Sequence, residues 1–419
     1  WRGVKTIGLK QLCCSIHEIQ FNPDHRTSFN GNTMDQSYSW GTERPIPSCP
    51  LIEISGSSRE RGRQYGEQAR DRILRGIEHY SLQLETNQLG WPEITHIVKT
   101  FEPTIASFEP AYLEEMRGIA EGANVAYEAV VMLNARTEIL KIADRRKKGL
   151  PSEIDPDGCT GVVAMPEATR DGRVIHAQNW DWKAECAETA VVVRVLRDDG
   201  PDLLTFTEAG GLARSGMNSA GISITANYLE SDRDYRRLGV PLALLRRKAL
   251  EQQQLALALR LLYCTPKSAA NNVMVSHVGG IAIDFECAPD ETFQIHPQRG
   301  VIVHANHFQS ATALSKIKDM GVVNTPDSLY RDLRVRQLVE PHIGHLTRDH
   351  IKEALFDDFQ SPWSVCRPPR PNSSSNLSAT VAMVVMEPAL GVMEVAVLPA
   401  LNRNFQTYTL DCERRAVAA

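Results

Sequence analysis

A chain of 419 residues, 42% of them hydrophobic and 23% charged, is long enough to bury one large core or two to three ordinary ones. Its formal net charge of -5 is small for that size, so no overall field favours nucleic acid or an anionic membrane, and the basic run Arg145-Arg146-Lys147-Lys148 reads as a solvated loop. Nine cysteines without C-x-x-C spacing argue against a zinc framework, and their odd number argues against a disulfide scaffold, so a reducing compartment, cytoplasmic by default, is expected. No apolar window reaches transmembrane length or has the form of a signal peptide.

Residues 1–48 carry no clear pattern and read as an irregular extension. From Leu51, "LIEISG" predicts a short strand, and Ser57-Ser58-Arg59-Glu60 has capping-box spacing, opening a helix that runs to near Tyr80. Tyr112, Met116, Ile119, Ala120 and Ala123 recur at helical spacing and predict an amphipathic helix stopped near Gly122. "YEAVVMLNARTEIL" predicts a third, so 49–158 is a mainly helical segment, and it closes on the charged loop "ADRRKKGLPSEIDPDG".

After Cys159 the texture changes to short strands and turns. "VVVRVL" with "LLTFTE", "NVMVSHV" with "IAIDFEC", and "ATVAMVVME" with "VMEVAVL" predict three hairpins. Helical stretches near Pro241 to Leu262 and Ser328 to Leu355 would cover the sheets they form. The expected class is α+β, with helices layered on antiparallel sheets; 159–419 bears the sheets, and 49–419 shares one core. There is no internal repeat.

Cys159 stands at the junction between these textures. An ordinary reading makes it a small buried hydrophobe at the start of a strand. Its neighbours suggest chemistry instead: Asp155-Pro156-Asp157 favours a tight turn, and Gly158 leaves its own carbonyl open to the thiol that follows. Attack there would give a thioester, and hydrolysis would leave Cys159 as a new N-terminus with both a thiol and an α-amine. A free α-amine has an ordinary pKa of about 7.7–8.0, so it can serve as the nucleophile's own general base, and no histidine is required.

Seven segments in order extend this reading: "SRERGRQYGEQAR", "EEMRGIAEGANVAYEAVVMLNARTEIL", "DGCT", "AQNWDW", "GMNSAGISITAN", "HANH" and "WSVCR". Together they resemble the acyl-coenzyme A:6-aminopenicillanate (isopenicillin N) acyltransferase family of cysteine N-terminal-nucleophile (Ntn) hydrolases. The resemblance implies a four-layer αββα sandwich, self-cleavage at Gly158-Cys159 into two chains that stay associated, and acyl transfer through a thioester on Cys159. It aligns Asp181 with the carboxylate that would hold the new α-amine by a charge-assisted hydrogen bond. Asn306 aligns with the oxyanion donor, and Arg367 with an arginine able to pair with Asp181 or a substrate carboxylate. No cofactor is implied beyond acyl-CoA as a co-substrate; the partners are a small-molecule amide, amine or acyl-CoA, in secondary metabolism. Two stretches, "PEATRDGRV" and "PPRPNSSSN", run longer than the family pattern, and the ending "RRAVAA" lacks the peroxisomal tripeptide of fungal members.

Other chemistries have weaker support. A papain-like cysteine hydrolase would draw its base from His304 or His307, but the local contexts of such proteases are absent. His304-x-x-His307 and His342-x-x-His345 offer two metal ligands each without a third, and there is no G-x-S-x-G element for a serine hydrolase. An inert homologue that keeps the fold as a binding protein is the non-enzyme alternative.

Overall fold

Strands that alternate buried and exposed residues have one wet face, whereas strands buried at every position are covered on both. The computed structural model describes residues 45–86, 88–146, 158–371 and 377–411, and its inner strands are of the second kind. β2 (Gly158–Ala164), β3 (Ile175–Lys183), β5 (Leu203–Glu208) and β7 (Ile222–Tyr228) are buried throughout.

Among the described residues there are two sheets. The eight-stranded one runs β1 (Leu51–Ile54), β4 (Ala190–Val195), β5, β6 (Ser215–Asn218), β7, β8 (Asn271–His277), β9 (Ile281–Cys287) and β10 (Thr292–Ile295). The other runs β11 (Val301–His304), β2, β3, β13 (Leu377–Glu387), β14 (Val392–Val397) and β15 (Gln406–Thr409), with β12 (Arg370–Pro371) beside β13. Pairing is antiparallel except for β1 on β4. The three expected hairpins form as β4–β5, β8–β9 and β13–β14, and "GMNSAGISITAN" folds as β6–β7.

The sheets meet face to face where β2 and β3 lie against β7, and β2 against β8. Helices α7 (Leu242–Leu250) and α8 (Leu255–Cys264) cover the eight-stranded sheet. With α9 (Ala311–Leu314) preceding them in the chain, α10 (Ser328–Val339) and α11 (Arg348–Leu355) cover the other. This is the four-layer αββα arrangement expected.

The segment before Cys159 supplies α1 (Ser58–Gln68), α2 (Arg70–Thr86), α3 (Trp91–Phe108), α4 (Pro110–Ala123), α5 (Tyr127–Asn134) and α6 (Arg136–Arg146). Ser57 and Glu60 form the capping box. The single helix expected from there to Tyr80 breaks at Ala69, because α1 packs on α4 while α2 turns toward the Ala184–Thr189 turn. α4 ends at Ala123, near Gly122 as expected, with Asn124 in the left-handed region as its cap, and Gly122 has a further task. Gly62 and Gly66 of α1 face Gly118 and Gly122 of α4 so closely that a Cβ on Gly62 would lie 2.0 Å from Glu115 O. "YEAVVMLNARTEIL" breaks at Ala135 into α5 and α6, and α3 has no counterpart in the sequence reading. One hydrophobic cluster joins Ile73, Tyr80 and Met132 of the helical segment to Trp180, Val192, Phe206 and Val384 of both sheets.

The extension expected at 1–48 lies outside the described residues up to position 44, as do most of the charged loop, the Asp155-Pro156-Asp157 turn and 372–376. Among the described residues no helix is long and apolar enough to cross a membrane.

Candidate active site

β2 and β3 form a hairpin whose register places Gly158 opposite Asp181 and Cys159 opposite Trp180. The longer "PEATRDGRV" stretch is absorbed at its tip, partly as a 3-10 turn at Pro166–Ala168. Cys159 is fully buried between the sheets. Because the period of a strand is two residues, the carboxylate of Asp181 rises on the same face as the missing side chain of Gly158. A Cβ at Gly158 would lie 2.8 Å from Asp181 Oδ2 and 3.0 Å from Arg367 Nη1. The glycine is therefore required by side chains packed against it.

Asp181 accepts a 2.6 Å hydrogen bond at Oδ1 from Thr380 of β13, and its Oδ2 lies 3.3 Å from Arg367 Nε. Burial pushes its pKa up, against the pull of Arg367, Arg331 and Thr380. Arg367 is fixed by its own backbone, which donates to Thr380 Oγ1 at 2.8 Å, and its guanidinium also pairs with Asp327. Burial alone would raise the pKa of Asp327, but Arg331 and Arg367 outweigh it and hold the carboxyl below its ordinary value.

Asn306 follows β11 and is 2% exposed. Its Oδ1 accepts from Cys159 N at 2.8 Å and from Arg331 Nη2 at 2.8 Å, while Nδ2 donates to Tyr228 O at 2.8 Å. Reversing the amide would set its NH₂ against two donors and its oxygen against a carbonyl, so the network assigns the orientation.

The structure thus brings Cys159, Asp181, Asn306 and Arg367 into one buried cluster, and joins to them residues that the sequence reading passed over. Arg331 of α10 is the hub: Nη1 donates to Cys159 O at 2.7 Å and Thr160 Oγ1 at 2.8 Å, and Nε to Asp327 Oδ2 at 2.7 Å. Arg214, just before β6 on the facing sheet, places Nη2 3.7 Å from Cys159 Sγ. Its guanidinium lies 4.1 Å from the centre of the Trp180 ring. Three arginines around two carboxylates make a site suited to negative charge developing on sulfur or oxygen.

The histidines are engaged elsewhere. His304 is buried with Nε2 2.8 Å from Glu286 Oε1 and Nδ1 3.0 Å from Ala305 O. Burial opposes its protonation, but Asp284 and Glu286 prevail and raise its pKa to about 9. His307 meets Ser328 Oγ at 2.8 Å. Among the described residues no three His, Cys, Asp or Glu side chains gather as a metal site.

A narrow cavity runs from Arg214 between α5, α6 and α7, walled by Arg136, Glu138, Glu208 and Arg246. A larger groove of about 800 Å³, lined by Phe108, Leu257 and Leu261 among others, includes none of the clustered residues.

A fold does not by itself fix a chemistry, and comparison with known families supplies the class, that of an acyltransferase. The family model described as acyl-coenzyme A:6-aminopenicillanic acid acyl-transferase matches residues 168–398. The chain belongs to that family. It is 27% identical over 324 residues to the acyl-coenzyme A:6-aminopenicillanic-acid-acyltransferase 40 kDa form of Emericella nidulans, covering 75% of this chain and 84% of the relative. Among solved structures, a mutant form of conjugated bile acid hydrolase from Clostridium perfringens superposes with a TM-score of 0.41 at 12% identity, covering 60% of this chain and 92% of that one. Penicillin V acylase from Agrobacterium tumefaciens gives 0.40 at 17% identity, covering 60% and 86%.

Proposed function

We propose that the protein cleaves itself between Gly158 and Cys159 and then works as a cysteine Ntn acyltransferase or amidohydrolase. The observation that carries this reading is the position of the Asp181 carboxylate in the space beside Gly158, with Arg367 at its other side. An acid at that point would meet the positive amine that cleavage creates, and the new ion pair would favour ionised Asp181 despite its burial.

In turnover the α-amine of Cys159 takes the thiol proton, and Sγ attacks the substrate's acyl carbon. The C–S bond forms as the C–N bond of an amide, or the C–S bond of an acyl-CoA, breaks, and the proton passes to the leaving group. Asn306 serves twice: Oδ1, which accepts from Cys159 N in the intact chain, continues to orient the amine, and the Nδ2 amide, held in place by its bond to Tyr228 O, is the donor proposed for the oxyanion. Arg367 fixes Asp181. An amine or water then attacks the thioester and releases the thiol. The site uses no cofactor other than acyl-CoA as co-substrate, and the products are those of small-molecule tailoring in secondary metabolism.

The test is the intact mass of purified protein. Fragments of 158 and 261 residues, co-eluting and with the larger beginning at Cys159, are expected, whereas Cys159→Ala stays a single chain of 419 residues. An uncut wild-type chain would instead favour an inert binding protein. A panel of acyl-CoAs and amines read by mass spectrometry separates transfer from hydrolysis.

A further inference from the structure

Self-cleavage poses a problem that turnover does not. In the uncleaved chain the Cys159 nitrogen is a peptide nitrogen donating to Asn306 Oδ1, so the amine proposed as base does not yet exist when the first bond is cut. The reacting species must still be a thiolate. His304, with its ring nitrogens bonded to Glu286 and Ala305 O, is not placed to take the proton.

Arg214 faces the sulfur from the opposite sheet. Its Nη2 lies 3.7 Å from Sγ, within reach of an N–H···S hydrogen bond, and the residue is 5% exposed. Its guanidinium is stacked over the indole of Trp180, the β3 residue paired with Cys159, so the hairpin that carries the thiol also seats the cation. The other charges around the pair are placed differently. Arg331 of α10 donates to Cys159 O, and Arg367 is turned to Asp181 and Asp327. Glu208 of β5 pairs with Arg136 at 2.6 Å and accepts from the Tyr80 hydroxyl at 2.7 Å, and the Arg214 charge also helps to keep it ionised. Glu138 of α6 accepts from Leu242 N, and Arg246 of α7 lines the cavity beyond.

We propose that Arg214 is the activating cation of self-cleavage, holding Cys159 Sγ as thiolate before the α-amine is released. The proposal rests on the reading of Cys159 as the self-cleaving nucleophile. The thiolate attacks the Gly158 carbonyl carbon, the C–S bond forms, and the C–N bond breaks. The nitrogen leaves as an amine, taking up one proton to balance the one lost from sulfur. Water then splits the thioester, giving the Gly158 carboxylate and restoring the thiol. The class of residue fits the task, because a guanidinium stays charged throughout the pH range in which a thiol titrates.

The test needs no substrate. Wild-type, Arg214→Met and Arg214→Lys chains are made by cell-free synthesis, and the fragments are followed by intact mass between pH 5 and 9.5. At pH 7 Arg214→Met should cleave at least tenfold more slowly, with the midpoint of its rate–pH profile displaced upward by about one to three units, the range an adjacent opposite charge produces. Arg214→Lys should fall between, and Arg214→Met should approach the wild-type rate at pH 9.5. A wild-type rate and midpoint in Arg214→Met overturns the proposal. So does slowing by one constant factor at every pH, which marks a purely structural role. If the wild-type chain never cleaves, the self-cleavage reading falls and carries this proposal with it; if it cleaves and the arginine variants behave like it, the proposal alone falls.

Discussion

Replacing His304 by Gln tests whether this histidine is part of the scaffold or a base. It is fully buried between Glu286 and Asp284, and its pKa is raised to about 9 from an ordinary 6.5. A group whose folded pKa is raised stabilises the fold fully below its unfolded pKa and loses that contribution as pH climbs through the folded value. The difference of about 2.5 units corresponds to about 3 kcal/mol, present at pH 6 and gone by pH 10. Asp284, raised by burial to about 6, loses stability in the same direction as pH rises, but mainly between about pH 4 and 6, so the window to examine is pH 7 to 10. Urea unfolding of wild-type and His304→Gln proteins across that range reads the His304 term together with its coupling to Asp284 and Glu286. Part of the term is already lost at pH 7, so the stability difference should shrink by roughly 2 to 3 kcal/mol between pH 7 and 10. A flat difference would refute the reasoning. An imidazolium at neutral pH cannot accept the thiol proton, so the pH midpoint of turnover should stay where it is in this variant. A collapse of activity with the fold and self-cleavage intact would restore the papain-like alternative.

Two further outcomes test the site. Asn306→Ala should fold and lose turnover by about a hundredfold or more, the effect of deleting an oxyanion donor, and steady-state rates of the processed enzyme would show it. Asp181→Asn should lower turnover and move the basic group in the pH–rate profile to lower pKa, because the ammonium form loses its charge partner; an unchanged profile would remove Asp181 from the amine's surroundings.

The strands were legible because a half-buried or fully buried run bounded by turn residues has few other uses, and the hairpins at Arg197–Asp202 and Gly279 show it. Helix boundaries were less so. The breaks at Ala69 and Ala135 occur in residues of high helical propensity, and are dictated by the need to pack successive turns on different surfaces. The four-residue spacing of Gly62 and Gly66, and again of Gly118 and Gly122, was a readable sign of two helices in backbone contact. Arg331 also left a trace: with Ser328, Val335 and Val339 it falls on the buried stripe of α10, and Asp327 stands four residues before it. An arginine in an apolar stripe, with an acid one turn away, is a buried pair before it is a surface one. Arg214 left none, since its partner lies on another sheet.

Gly158 shows most clearly what only the folded chain reveals. From sequence, its lack of a side chain clears the path of the thiol to its carbonyl. In the structure it is an ordinary strand residue, and the space that a Cβ would fill is taken by the carboxylate of Asp181 and the guanidinium of Arg367. Those two groups are held in turn by Thr380 and Asp327, from a strand and a helix boundary far along the chain. Removing one partner from such a buried ionic network leaves another charge unmatched, at about 3–5 kcal/mol. The bond proposed for cleavage is therefore marked out by a charged cluster drawn from β3, β13, the Arg367 loop and the start of α10, so the proposed self-cleavage would follow the docking of α10 on that sheet. The turn chemistry of the residues before Gly158 cannot enforce that order, and the Asp181–Arg367–Asp327–Arg331 cluster can.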